Sequence, residues 1–348
     1  MIVKNKKRKN VLIAGIAGAS LGTEIFKSLR ITNHYNIFGV DISPYAYGLY
    51  EEGFTKTYVI NGEEYIKNIF RICKKEKIDA IIPGGGEPLS LLSKNKDLFE
   101  GAGILLAINS TEIIELSEDK IKMFNYLNKQ GIPVPNTKIV DNPRVLKNFS
   151  YPCIIKPSTD SGGSVFVYLA ENKEEAIALI SYLKKRNKKV IIQEYIPVQE
   201  GEYSLSVLSF PNGEIVGSIA LKRFFNSKLS YLIKYGDRVV SSPYSQGLVD
   251  NFQDIRSQAE KIALKIKSCG PLNIQGRVKN GIFYPFELNA RFSGGTYLRA
   301  IAGFNEVDIF LQFLLNRKKP SLKQIKYGYY LRTLDEEFVS FKQIKKYD

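Results

Sequence analysis

Short apolar runs alternate with longer amphipathic stretches through the first third of the chain. Strand-like segments at 10–14 and 57–60 are followed by stretches with helical periodicity at 20–30 and 63–75. Strands that alternate with helices through brief connections are typical of a parallel sheet covered by helices. The pattern therefore predicts an α/β domain over residues 1–109.

The pattern changes in the second part of the chain. Ser110 and Ser117 precede amphipathic stretches and are predicted to cap two helices. Farther on, long alternating strands prevail, and Asn280-Gly281 between two of them predicts a tight hairpin turn. We therefore expect an α+β arrangement, divided into a unit at 110–200, a unit at 201–317 and a basic, tyrosine-rich extension at 318–348.

The charge of the chain is strongly positive. Its 348 residues include 50 Lys and Arg against 35 Asp and Glu, which gives a net charge of +15. Such an excess suits a nucleic-acid binder, and this alternative stays open. Apart from residues 4–9, however, the cations are dispersed and often lie near acids, which is typical of a basic soluble protein. We expect no specific nucleic-acid partner.

Histidine and cysteine are scarce, with one His and three Cys in the chain. A mechanism built on a His base or on several His ligands is therefore not expected, and a metal would bind oxygen ligands, which favours Mg²⁺. The cysteines form no CxxC pair and are interpreted as reduced. No apolar run approaches the roughly 20 residues that a membrane span requires, so we expect a cytoplasmic protein without a membrane partner.

A first glycine cluster, 15–22, follows the opening strand and leads into a predicted helix. Glycines at such a turn allow the N–H groups of a helix N-terminus to face an anion. Asp41 closes the next strand, where dinucleotide-binding folds place a ribose-binding acid. The glycine spacing differs from G-x-G-x-x-G, so an NAD-dependent dehydrogenase is only an alternative beside a structural turn or a substrate-side anion site.

A second cluster begins with Lys156 at the end of an apolar strand. The turn that follows is rich in small residues, namely Ser158, Ser161, Gly162, Gly163 and Ser164. An ammonium beside free backbone N–H groups binds and neutralises a polyphosphate. A hairpin loop with a solvated lysine is the alternative interpretation.

A third cluster lies on two strands that are predicted to form a hairpin. Residues two apart in a strand face the same side, so Glu287, Asn289 and Arg291 share one face, opposite the segment 273–277. Carboxylate and amide oxygens are ligands for Mg²⁺, and a neighbouring guanidinium suits a phosphate. A solvated strand face is the alternative.

In order and spacing these clusters resemble the ATP-grasp superfamily, above all the ATP-binding units of the carbamoyl phosphate synthase large chain and its single-unit relatives. The resemblance spans about residues 10–316 and includes Lys120 on a helix, the segment 192–196 and Glu202. It implies that residues 1–109 form the parallel-sheet pre-ATP-grasp domain of the family. The two-lobed ATP-grasp fold would follow, with its small lobe and linker helices at 110–200 and its C-terminal lobe at 201–317.

The resemblance also implies a role for each matching residue. The phosphates of ATP would contact Lys120, Lys156 and the loop residues Ser158, Ser161, Gly162, Gly163 and Ser164. The adenine would contact Glu194, Tyr195 and Ile196, and the ribose would contact Glu202. The Mg²⁺ ligands would be Gln275, Glu287 and Asn289, while Arg291 would stabilise the transferred phosphoryl group and Lys222 would make a further phosphate or substrate contact.

The implied activity is that of an ATP-dependent, Mg²⁺-dependent carboxylate–amine (or carboxylate–thiol) ligase that forms an acylphosphate on a small carboxylic acid. Such chemistry depends on positioning and electrostatics and requires no histidine base. A kinase on the same fold is the nearest alternative, and it would release a phosphorylated product. The partners implied are small-molecule carboxylate and amine substrates, and a homodimer is compatible with the family.

Overall fold

The structure is a computed structural model that describes residues 8–18, 20–159, 166–225, 233–235, 238–241, 246–340 and 342–348. The described residues divide into two compact units. The N-terminal unit lies within 1–111, 291–326 and 333–348, and the second unit lies within 112–290 and 327–332. No helix in the described ranges is both long and apolar enough to cross a bilayer.

The N-terminal unit is built on a parallel sheet, as the alternating pattern predicts. Its first elements are β1 (Lys9–Ala14), α1 (Leu21–Arg30), β2 (Tyr35–Asp41), β3 (Lys56–Val59), α2 (Tyr65–Glu76), β4 (Ala80–Pro83), α3 (Gly86–Lys94), α4 (Lys96–Glu100) and β5 (Leu105–Leu106). The strand order is β3-β2-β1-β4-β5. Central β1 is fully buried from Val11 to Ala14, as expected for a parallel strand covered on both faces.

The second unit begins with α5 (Thr111–Glu118) and α6 (Lys120–Lys129) and continues into a four-stranded sheet. The strands of that sheet are β6 (Thr137–Ile139), β7 (Cys153–Pro157), β8 (Tyr168–Ala170) and β9 (Val190–Glu194), in the order β6-β9-β7-β8. Helix α7 (Lys173–Lys184) packs on one face through Ile180 and Leu183, which share a buried cluster with Ile155 and Ile192.

A larger antiparallel sheet completes the second unit. Its elements are β10 (Glu202–Ser209), β11 (Ile215–Arg223), β12 (Ile233–Tyr235), β13 (Arg238–Ser241), β14 (Gly247–Val249), α8 (Gln253–Lys265), β15 (Pro271–Lys279), β16 (Ile282–Asn289) and β17 (Gly328–Tyr330). The six-stranded order is β16-β15-β10-β11-β14-β17, with β12 and β13 paired separately. The predicted hairpin turn at Asn280-Gly281 is confirmed, because both residues have positive φ, 55° and 74°.

The C-terminal segments are distributed between the units, which differs from the boundaries predicted from the sequence. Helices α9 (Thr296–Ile301) and α10 (Glu306–Asn316) belong to the N-terminal unit, where Asn305 Nδ2 donates to Ser28 O at 2.7 Å. Strand β17 of the predicted extension pairs with β14 in the second unit. Long-range pairing of this kind leaves no local signal in the sequence.

One local prediction in the linker region is corrected, and two helices before it were not predicted. Asp119, rather than Ser117, caps α6, since its carboxylate accepts from the N–H groups of Ile121 at 2.9 Å and Lys122 at 3.1 Å. Ser117 lies inside α5. Helices α3 and α4 have no counterpart in the predicted pattern, because three glycines at 84–86 obscure the start of α3.

Candidate active site

Six of the predicted site residues line one cavity of the second unit, here called the lysine cavity. It encloses about 610 Å³ of space, counting the part open to solvent. Both sheets contribute to its wall. The predicted residues are Lys120, Lys156, Glu194, Tyr195 and Ile196, and a sixth, Glu287, enters from β16.

Lys156 carries the most strongly perturbed cation of this cavity. It is 5% exposed on β7, and its Nζ donates to Gln193 Oε1 on the adjacent strand β9 at 2.9 Å. Burial lowers the pKa of Lys156 to about 7, with smaller contributions in the same direction from Lys120 and Arg277 and an opposing one from Glu287. The acceptor of this hydrogen bond is a neutral amide. An anion that binds beside the buried amino group would therefore stabilise its protonated form.

Helix α6 brings the second lysine to the same place. Lys120 is its first residue, and the Lys120 N–H donates to Ser158 O at 3.1 Å, directly after β7. The Ser158 hydroxyl is buried and has no partner among the described residues. The remaining predicted loop residues, Ser161, Gly162, Gly163 and Ser164, lie outside the described residues. Their roles stay predictions.

Residues 194–196, here called the hinge, leave β9 and border the cavity. The Glu194 carboxylate accepts from Lys279 Nζ at 3.1 Å, so its charge is paired on the strand side. The Tyr195 hydroxyl donates to Val239 O at 3.2 Å, and the Ile196 carbonyl accepts from Arg277 Nη1 at 2.8 Å. These bonds fix the hinge on both sides before any ligand enters.

Glu202 lies elsewhere than predicted, away from the cavity wall. Its carboxylate is 1% exposed and accepts from Arg223 Nη1 at 2.6 Å and from Arg277 Nε at 2.8 Å. The reason is the register of the sheet: Glu202 on β10 lies opposite Arg277 on β15, and the β10–β11 pairing sets Arg223 on its other side. A carboxylate between two guanidiniums is engaged in the sheet itself, so its predicted contact with a ribose finds no support here.

Arg277 is the residue that the sequence interpretation missed. Besides Glu202, its guanidinium donates to Ile196 O and, through Nη2 at 2.8 Å, to Val239 O. It also lies over the rings of Tyr195 and Phe286, 5.2 and 5.9 Å from their centroids. One buried side chain thus joins the hinge, β13 and the six-stranded sheet. Gln193 was missed as well, although it belongs to the quoted segment 192–196.

The predicted metal ligands lie together at the β15–β16 hairpin. Gln275 pairs directly with Glu287 across the strands, and Asn289 Nδ2 donates to Glu287 Oε1 at 2.9 Å, which leaves the amide oxygen as an acceptor. Among the described residues no three His, Cys, Asp or Glu side chains form a metal cluster. One carboxylate with amide oxygens nevertheless fits Mg²⁺, which keeps several waters and shares ligands with phosphates.

The two remaining predicted residues lie outside the cavity wall. Lys222 on β11 places its Nζ 5.9 Å from the Tyr203 ring centroid and packs over Gly201. Arg291 is the first residue of a segment that belongs to the N-terminal unit, and its Nη1 donates to Phe292 O at 2.8 Å. Their catalytic roles stay predictions.

Family models match both halves of the chain. Residues 11–107 match the model described as PylC-like, N-terminal domain, and residues 117–278 match the RimK-like ATP-grasp domain. Residues 117–278 form an ATP-grasp domain. The predicted membership and the predicted fold class are therefore confirmed.

Individual relatives agree with this assignment. The carbamoyl phosphate synthase large chain of Sulfolobus acidocaldarius is 24% identical over 257 residues, which are 71% of this chain and 23% of the relative. The D-alanine–D-alanine ligase of Pseudothermotoga lettingae is 27% identical over 176 residues, 49% of this chain and 56% of the relative. This ATP-grasp chain thus spans about a quarter of the length of the synthase relatives and about half of that ligase.

A solved structure shares the fold. The biotin carboxylase domain of Hydrogenobacter thermophilus 2-oxoglutarate carboxylase, a complex with MgADP and bicarbonate, aligns with a TM-score of 0.67. The alignment covers 93% of this chain and 74% of that chain at 19% identity. At 19% identity this comparison shows only that the two chains share the ATP-grasp fold.

The lowered pKa of Lys156 predicts how stability depends on pH. An unfolded lysine titrates near pH 10.4, so between pH 7 and 10 the unfolded chain binds this proton and the folded chain does not. The contribution of Lys156 to the free energy of unfolding therefore rises with pH between pH 7 and 10 and is lowest below pH 7. Relative to Lys156→Met, the native protein should gain on the order of 1 kcal/mol per pH unit between pH 7 and 10.

Urea unfolding at pH 7, 8.5 and 10 measures this difference. Lys184→Met, at an exposed position of α7, is the control and should track the native protein at every pH. If the free energies of unfolding of the native protein and of Lys156→Met changed equally with pH, the result would contradict the burial of a titrating Lys156 amino group.

The Glu202 network makes a second prediction. Glu202→Gln leaves two buried guanidiniums without their counter-charge, so we expect a loss of about 3–5 kcal/mol in the free energy of unfolding. Glu200→Gln is the matched control: this exposed carboxylate accepts from the N–H groups of Asn280 and Gly281, and its substitution should lower the free energy of unfolding far less than Glu202→Gln does. A stable Glu202→Gln protein with weakened nucleotide binding would instead support the ribose role.

Proposed function

We propose that this ATP-grasp protein is an ATP- and Mg²⁺-dependent carboxylate–amine ligase that activates a small-molecule carboxylic acid as an acylphosphate. The observation that carries the proposal is the buried Lys156 ammonium, whose hydrogen bond within the described part of the chain goes to the neutral Gln193 amide, in a cavity that Lys120 and Arg277 also line. A polyphosphate entering the cavity would bring negative charge to Lys156, whose described hydrogen-bond acceptor is neutral.

The hinge supports the choice of a nucleotide as the source of that phosphate. Its peptide groups border the lysine cavity beside the apolar side chains of Ile154, Val167 and Phe286. A flat apolar slot edged by backbone donors and acceptors suits a purine ring. Because Arg277 and Val239 anchor Ile196 and Tyr195, the slot keeps its shape without a bound base.

Glu287, Asn289 and Gln275 are the residues that would hold Mg²⁺. When bound, the ion would neutralise phosphate charge and polarise the phosphoryl oxygens. The lysines act on the same charge from the protein side: Lys156 and Lys120 offset the negative charge that builds on the phosphates during transfer. Glu287 also lies close enough to Lys156 to favour its protonated form.

The proposed reaction has two displacements. A carboxylate oxygen of the substrate attacks the γ-phosphorus and ADP leaves with the bonding electrons; the amine nitrogen then attacks the acyl carbon and inorganic phosphate leaves. The amine loses its proton in forming the amide. Likeness to the D-alanine–D-alanine ligase supports a carboxylate and an amine as the two substrates.

A panel of small carboxylic acids, each offered with and without an amine, tests the proposal. ADP and phosphate are quantified, and mass spectrometry identifies the organic product. We expect amide formation with a matched pair, and a fall in turnover of about 100-fold or more for Glu287→Gln and for Lys156→Met, since each removes charge stabilisation from the transferred group.

Glu174→Gln, at an exposed position of α7, is the control and should turn over at the native rate. Undiminished turnover in Glu287→Gln and Lys156→Met would refute the assignment of the site. A phosphorylated product that accumulates in the presence of every amine would identify a kinase instead.

A further inference from the structure

The segment 317–326, which follows α10, is strongly basic and is here called the basic loop. It contains five Lys and Arg in ten residues and no acid. Its two ends are fixed to the turn between α9 and α10: the Lys318 N–H donates to Gln312 O at 3.3 Å, and the Lys326 N–H donates to Ala302 O at 2.8 Å. The basic loop is therefore a built part of the N-terminal unit.

The basic loop borders a cavity, here called the histidine cavity, whose other sides are the residues after α1 and one face of α10. It encloses about 1040 Å³, counting the part open to solvent. Gly303 in its wall lets the loop approach, since a Cβ atom there would lie 2.7 Å from Gln324 O. His34 directly precedes β2, so the cavity lies at the amino end of that strand. Parallel sheets bind ligands at the carboxyl ends of their strands, and this is a separate place.

Two lysines of the basic loop line the histidine cavity. Lys318 and Lys323 are both exposed, and within the described part of the chain neither ammonium is paired with an acid. Two like charges that converge on one cavity repel each other, and an anion between them removes that repulsion. The lysines therefore favour an anionic ligand.

Asp308 is the acid in the described wall of this cavity, and its carboxylate is already engaged. It accepts from the Tyr35 hydroxyl at 2.9 Å, from His34 Nδ1 at 3.0 Å and from Gln312 Nε2 at 2.9 Å. A carboxylate only accepts, so the hydrogen of the neutral His34 ring is on Nδ1. The half-exposed ring is thus held by Asp308, and its Nε2 is the nitrogen left for a ligand.

We propose that the histidine cavity binds a phosphate group, either as the free ion or as part of a phosphomonoester. Lys318 and Lys323 offset its negative charge, and His34 Nε2 shares a proton with it. The P–OH group donates to the neutral imidazole, or a phosphate oxygen accepts from the imidazolium. Phosphomonoesters lose their last proton at about pH 6, in the range where imidazoles titrate, so both arrangements are accessible. The inference does not rest on the proposed ligase function.

The single histidine of the chain gives a direct test, because the full-length protein without a histidine tag has one imidazole Hε1 resonance. Inorganic phosphate is titrated at pH 7.5 and constant ionic strength, with Mg²⁺ and a non-hydrolysable ATP analogue present to occupy the lysine cavity. The resonance should shift saturably. Sulfate, which carries no proton at this pH, and acetate, which has a single charge, should bind at least about fivefold more weakly. A resonance that phosphate leaves in place, or equal binding of sulfate or acetate, would overturn the inference.

Variants of the basic loop test the role of the lysines. Lys318→Met and Lys323→Met should each weaken phosphate binding about fivefold or more, because each removes one of the two charges. Lys94→Met, at an exposed position of α3 in the same unit, makes the same charge change and should bind phosphate like the native protein. Thermal midpoints equal to that of the native protein are expected for all three, so lost binding is not lost folding. Undiminished phosphate binding in both loop variants would also overturn the inference.

Vesicles distinguish the source of the phosphate. Leu322 in the basic loop and Ile31 in the cavity wall are 48% and 47% exposed, so a lipid headgroup is one source. Sedimentation is measured with phosphatidylcholine vesicles, with and without phosphatidic acid, whose headgroup is a phosphomonoester. Sedimentation that requires phosphatidic acid and is lost in Lys323→Met would identify a lipid headgroup as the ligand. A His34 shift with inorganic phosphate and no sedimentation would identify a soluble phosphate, and either result supports the site.

Discussion

The second unit depends on burying the Lys156 amino group beside Gln193, whose neutral amide accepts its hydrogen bond. Burial of an unpaired cation is costly, and a protein tolerates it by releasing the proton or by binding an anion. The fold makes both outcomes accessible, because β7 and β9 hold the lysine and Gln193 side by side at the edge of a cavity. The Lys156 amino group is thereby set in place before the ligand arrives, which limits the reorganisation that phosphoryl transfer would otherwise require.

Strand register places the other charges around that lysine. Pairing of β10 with β11 and β15 sets Glu202 between Arg223 and Arg277. The other N–H groups of Arg277 donate to the Ile196 and Val239 carbonyls. Pairing of β15 with β16 sets Gln275 opposite Glu287. A shift of one residue in either pairing would turn these side chains to the opposite face of the sheet. The geometry of the candidate site is therefore a property of the whole sheet and not of one motif.

The parts of the molecule that the sequence predicts well are those with local causes. Alternating patterns, the Asn280-Gly281 turn and the strand-end position of Lys156 each depend on neighbours a few residues away. The positions of Glu202 and Arg277 depend on register. Counting outward from the turn at Pro211-Asn212-Gly213 would set Glu202 opposite Lys222, and the shift of one residue between Leu208 and Ser209 moves it to Arg223. The pairing of β17 with β14 and the packing of α10 in the N-terminal unit join distant segments. Neither leaves a periodic signal.

At pH 8 the Lys156 amino group is largely uncharged in the free protein, and an anionic ligand in the cavity restores its proton. Calorimetric titration with Mg²⁺ and a non-hydrolysable ATP analogue at pH 8, in two buffers of different ionisation enthalpy, measures proton uptake directly. With a pKa of about 7 in the free protein, uptake should approach one proton per bound nucleotide, and Lys156→Met should show little of it. Identical heats in both buffers for the native protein would contradict the claim.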